Sequence, residues 1–117
     1  MEKVYIIRKV NYYYNENSMH VDDEIKSRLM EALHNWDDDI RFAVYKYFMD
    51  AVDGAKTIVR NIEHSYLTKM MPANSIGDNF DLELDADDTV DVVATYSSYD
   101  FDLTIRITIK EVELMAD

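Results

Sequence analysis

Between residues 80 and 109 apolar and polar side chains alternate almost without a break, a pattern that leaves room for little but paired β-strands. Phe80, Leu82, Leu84 and Ala86 alternate with Asp81, Glu83, Asp85 and Asp87. Val90, Val92, Ala94 and Tyr96 alternate with Asp91, Val93 and Thr95. Phe101, Leu103, Ile105, Ile107 and Ile109 alternate with Asp100, Asp102, Thr104, Arg106 and Thr108. A period of two places one set on a buried face and the other in water. Ser97-Ser98-Tyr99 reads as a hairpin connection, and a shift of the apolar phase to Val112 and Leu114 predicts a bulge near Lys110-Glu111.

Upstream the period is helical, after one strand. Val4 to Val10 is β-branched and aromatic and reads as that strand, with Asn11 to His20 as a loop or strand extension. Asp22-Asp23-Glu24 puts carboxylates in a first helical turn, and Ile25, Leu29, Leu33 and Trp36 follow on one stripe. Asp37-Asp38-Asp39 reads as a second helix start. Behind it Ile40, Ala43, Val44, Tyr47, Phe48, Ala51, Ala55, Ile58, Val59, Ile62 and Tyr66 keep one phase. That phase predicts a single long helix to about Lys69, bent or split at Gly54, and closed by Met71-Pro72. With two glycines, one proline and 117 residues, the chain reads as one α+β domain over residues 1–117. The expected order is β-α-α-β-β-β, an antiparallel sheet with helices on one face. Alternation leaves the strand order open.

Charge is distributed unevenly. Twenty-four acidic against twelve basic residues give a net of −12. Residues 1–36 and 37–72 each carry a net of −1, and residues 73–117 carry −10, with only Arg106 and Lys110 to offset twelve acids. Such a field argues against direct binding to nucleic acid, which needs a basic footprint. It favours a basic partner. The absence of cysteine excludes disulfides and thiolate chemistry and suits a reducing cytoplasm. No apolar run approaches membrane-spanning length, so the expectation is a soluble, cytoplasmic chain without a membrane partner.

Catalytic signatures are sparse. His20, His34 and His64 fall in three segments with no metal-site spacing, and two glycines cannot build a phosphate-cradling loop. Leu84-Asp85-Ala86-Asp87-Asp88-Thr89-Val90 resembles the nucleophile motif of haloacid-dehalogenase-type phosphatases, D-x-D-x-[TV]. That chemistry needs a parallel sheet and later lysine and acidic motifs, and only antiparallel-looking strands follow. No enzymatic activity, cofactor or metal is expected.

Two other patterns point to binding. Asp81, Glu83, Asp85 and Asp87 recur every second residue along one strand, about 6.8 Å apart at two residue rises. With Asp91, Asp100 and Asp102 on neighbouring segments they predict a two-dimensional negative array, provided the solvent faces coincide. Tyr12, Tyr13 and Tyr14 lie in polar surroundings and cannot all enter one core, and tyrosine is favoured at interfaces. These seven acids and three tyrosines are the predicted partner-binding residues.

In its small size, acidity and lack of cysteine and catalytic motifs the chain resembles in style the phage-encoded anti-CRISPR and anti-restriction proteins that imitate nucleic acid. The resemblance rests on the acid positions and on length, with no family motif. It implies a non-catalytic inhibitor that blocks the DNA or RNA site of a basic enzyme, a CRISPR effector nuclease or a restriction enzyme. An immunity protein neutralising a nuclease toxin would carry the same profile. So would a structural or assembly module, homodimeric through the long helix and acidic only for solubility.

Overall fold

A computed structural model describes residues 2–36, 43–71, 80–84 and 88–114. In chain order these form β1 (Glu2–Glu16), α1 (Asp23–His34), β2 (Val44–Tyr45), α2 (Phe48–Ile62), a π-helical turn (Glu63–Leu67), α3 (Thr68–Met70), β3 (Phe80–Leu84), β4 (Thr89–Ser97) and β5 (Phe101–Leu114). The five strands make one antiparallel sheet in the order β2-β1-β5-β4-β3. The fold is therefore the expected α+β class, with one additional two-residue strand.

The core lies where the two periods meet. Leu103, Ile105 and Ile107 of β5 and Val92 and Ala94 of β4 are essentially inaccessible, as are Leu29 and Leu33 of α1 and Ala51, Val52, Ala55 and Val59 of α2. Ile58 and Ile62 join the same cluster. Each large aliphatic side chain so buried contributes about 1.5–3 kcal/mol. At the start of α1, the Asp22 carboxylate accepts hydrogen bonds from the amides of Glu24 (2.9 Å) and Ile25 (3.2 Å), which caps two otherwise unpaired donors.

Several sequence expectations need correction. The long helix does not include Val44 and Tyr45, which pair with Ile6 and Tyr5 of β1. Both residue types favour strands, and tertiary pairing overrides a helical phase that they also fit. Asp37, Asp38 and Asp39, the expected helix start, lie outside the described residues, as do Ile40 and Pro72. α2 begins at Phe48 and passes through Gly54 unbroken. Glycine is there for clearance: a Cβ at residue 54 would collide with the Tyr45 hydroxyl. The helical irregularity falls instead at Glu63–Leu67, as a π-turn.

The bulge is also elsewhere. β5 keeps its register with β1 through Lys110-Glu111 and with β4 as far as Lys110, and the register shift occurs on β1 between Ile7 and Lys9. Arg8 is the extra residue. Before it Tyr5 and Ile7 face the core; after it Val10, Tyr12 and Tyr14 do. Val112 and Leu114 thus lie on the outer face beside Val4, with no kink in their own strand. The segment Asn11–Glu16 extends the first strand, the second of the two readings its sequence allowed. The molecule is elongated, 58 × 24 × 21 Å, with a radius of gyration of 15.5 Å against about 13 Å expected for a compact chain of this length.

Candidate functional site

The outer face of the sheet brings part of the predicted acidic array together. Glu83 of β3 stands across from Asp91 of β4, and Asp91 from Thr108 of β5. Asp81 and Glu83 are exposed, but Asp91 is only 8% exposed and accepts a hydrogen bond from the Thr108 hydroxyl at 2.7 Å. Arg106 reaches across this group, 2.5 Å from Glu83 and 3.7 Å from Asp91. Lys9 stands across from Thr108 on the same face. The solvent faces do coincide, yet cations from β1 and β5 are interleaved with the acids, so this part is not a uniform negative field. Asp85 and Asp87 lie outside the described residues.

Asp100 and Asp102 lie at the β4–β5 hairpin, away from that group, and each is held in place. Asp102 accepts hydrogen bonds from the Ser97 hydroxyl (2.7 Å) and the Asn17 amide (3.2 Å). These bonds, that from Ser97 foremost, hold its carboxyl below the usual carboxylate range. Asp100 accepts a 2.6 Å hydrogen bond from the Ser18 hydroxyl. The hairpin is tied to the end of β1 by the Asn17 amide, which donates to the Asp100 carbonyl at 2.8 Å. Glu16 completes this acidic end. A hydrogen bond from Lys26, 2.5 Å away, lowers its pKa, assisted by one from the Tyr14 hydroxyl at 3.2 Å.

The three tyrosines divide by strand parity. Tyr14 stacks on Phe101 with ring centroids 5.6 Å apart, and its partly buried phenol is pushed well above the usual tyrosine range, by desolvation first and by Glu16 second. Tyr12 packs edge-on against His34, with 3.3 Å between its hydroxyl and Nε2. Only Tyr13 points outward, 66% exposed and across from Thr104. Met19 (98%) and Tyr99 (88%) are exposed at the same end of the sheet. Two of the three tyrosines are thus committed to the fold, while Tyr13, Met19 and Tyr99 offer apolar surface beside Glu16, Asp100 and Asp102.

Other features were not visible in the sequence. At the π-turn, Glu63 is buried and accepts a hydrogen bond from the Tyr96 hydroxyl; burial first, then this bond, raises the phenol far above its ordinary value. The one available signal was a glutamate one position away from Ile62 in the apolar stripe. Beyond the start of α2, a hollow of about 500 Å³ opens among Tyr5, Phe48, Leu84, Val90, Ile109 and Glu111. Leu82 and Leu84, expected on a buried face, are 50% and 89% exposed because β3 is the last strand of the sheet.

As for catalysis, the D-x-D segment follows an edge strand of an antiparallel sheet, not a strand of the parallel sheet that the phosphatase motif requires. Among the described residues no three acidic or histidine side chains are placed to hold one metal ion, and no helix is long and apolar enough to cross a membrane. Compared with known proteins, the chain matches no family model, no curated sequence and no solved structure.

Proposed function

We propose that the protein is a non-catalytic inhibitor that sets its hairpin end against a basic nucleic-acid-binding enzyme, of the CRISPR-effector or restriction type, and keeps nucleic acid out of that enzyme's site. The observation that carries this reading is the pairing of carboxylates fixed by hydrogen bonds with exposed apolar side chains at one end of the sheet. Glu16, Asp100 and Asp102 are each oriented by hydrogen bonds, so little ordering remains to oppose binding. Tyr13, Met19 and Tyr99 supply the kind of contact that anchors an interface. Asp81, Glu83 and Asp91 form the flank of the surface, their field reduced by Arg106.

Affinity capture from a host lysate, with elution by increasing salt, identifies basic candidates. Competition against labelled DNA or RNA for the captured enzyme then tests the mode. Asp100→Asn with Asp102→Asn is expected to weaken competition more than Asp81→Asn with Glu83→Gln, and the loss should shrink at high salt. A doubly amidated hairpin that competes as well as the parent overturns the reading.

A further inference from the structure

The hollow beyond the start of α2 has a volume of about 500 Å³, within the range of small-molecule sites. Its floor is apolar. Phe48, Val90 and Ile109 form it, Tyr5 stands edge-on to Phe48 with ring centroids 5.6 Å apart, and Leu84 is an exposed wall. Its rim is acidic. Asp88 and Glu111 both line the hollow, and the Glu111 amide donates to the Asp88 carbonyl at 3.0 Å, which holds the two residues side by side. Asp88 has a φ of 63°, a left-handed conformation that aspartate and asparagine tolerate better than most residues. Among the described residues no basic side chain pairs with the Asp88 carboxylate. Glu111 accepts a hydrogen bond from the Tyr5 hydroxyl at 3.3 Å and has Lys3 at 3.5 Å, an exposed ion pair of the kind worth little.

Floor and rim together select the ligand. An anion would meet two carboxylates on a chain of net charge −12. A neutral apolar body would crowd those carboxylates, taking water from them without supplying a donor. An amine on an apolar body meets both demands: the body lies on the floor and the ammonium donates to the rim, chiefly to Asp88. We infer that this hollow is a binding site for a small organic cation, an amine carrying an aromatic or branched apolar group. The site opens on the face of the sheet opposite Glu83 and Arg106, so their ion pair does not compete for the amine. It is separate from the hairpin end and does not depend on the function proposed for that end.

The test titrates the full chain with naphthylethylamine, followed by NMR of the protein. Naphthylethanol serves as the uncharged counterpart, and butylamine carries the charge without the ring. The aromatic amine should bind at least about tenfold more tightly than the alcohol, the ratio that one charge-assisted hydrogen bond supplies. It should exceed butylamine by at least about tenfold as well, through the apolar area it buries. Shifts should centre on Phe48, Val90 and Ile109. Asp88→Asn suits the same backbone conformation and should remove most of the amine's advantage over the alcohol. Leu84→Ser, a change at a side chain too exposed to matter for folding, should weaken both aromatic ligands. Equal affinity for amine and alcohol would leave only an apolar surface and overturn the inference. So would equal affinity for the two amines, with shifts spread over Asp81, Glu83 and the hairpin acids, which would reduce the effect to net charge. Either result would leave the function proposed for the hairpin end intact.

Discussion

Near the β4–β5 hairpin, Phe101, Leu103 and Tyr96 lie in the cluster that Leu29 and Leu33 of α1 and Val59 and Ile62 of α2 complete, and all are buried. At the opposite end the same face is carried by Leu84, Val90, Tyr5 and Glu111, and it lines an open hollow. The alternation is equally regular at both ends. A period of two therefore says which side chains share a face, and the elements laid over that face decide whether it is core or contact surface.

The contrast should be largest in core truncation. Ile105→Ala is expected to cost about 2–5 kcal/mol by chemical denaturation, whereas Leu84→Ala should stay within about 0.5 kcal/mol. Similar losses at both sites would mean that the bare end is as well packed as the hairpin end, and the distinction would fall. Next in size is the contact that joins β2 to α2. Gly54→Ala should cost about 1–3 kcal/mol, because the Tyr45 ring must give way to the new methyl group. In a Tyr45→Val background the same change should stabilise by about 1 kcal/mol through helix propensity. A double-mutant cycle with no coupling would show that the strand's closeness to the helix carries no energy.

A third substitution sharpens the picture of the hairpin end. Tyr96→Phe removes the donor from buried Glu63 and should cost about 1–3 kcal/mol, by thermal or chemical denaturation. A neutral result would mean that Glu63 finds another partner at once. The smallest effect is in pH dependence. Asp102 and Glu16 have folded pKa values below their ordinary 3.8 and 4.5, so their contribution to stability is present above those values and is lost as pH falls through the lowered ones. Asp102→Asn should lower stability at pH 7 and flatten its further fall below pH 3.8, so that parent and variant converge in acid. An unchanged acid limb would show that the bonds from Ser97 and Asn17 do not favour the ionised carboxyl.

Much of this architecture was legible in advance. The buried set Phe101 to Ile109, the core positions Ile58, Val59 and Ile62, the hairpin at Ser97 and the capped start of α1 all follow from local pattern. What was hidden depended on partners distant in sequence. Val44 and Tyr45 fit a helix and a strand equally, and only Ile6 and Tyr5, some forty residues away, decide between them. Arg8 reads as one more residue of an apolar-rich strand until Ile109 and Thr108 are set opposite its neighbours. For the site, the acid positions were visible but their company was not. Nothing local shows that Arg106 lies between Glu83 and Asp91, or that Asn17 and Ser18 hold Asp102 and Asp100. Tyr12 and Tyr14 were taken up by the fold for the same reason, since the parity that turns them inward is set by the bulge.

The elongated shape has a consequence for motion. The fourteen residues of β5 span about 46 Å at the usual rise, which the 58 Å axis can hold and the 24 Å one cannot, so the strands run along the length of the molecule. Ladder hydrogen bonds are perpendicular to antiparallel strands, and the N–H vectors of β4 and β5 therefore point across the long axis. End-over-end tumbling of such a rod is slower than spinning about its length, and amides pointing crosswise sense both rotations. Their nitrogen relaxation rates should form a tight group, offset from amides whose N–H vectors lie along the rod.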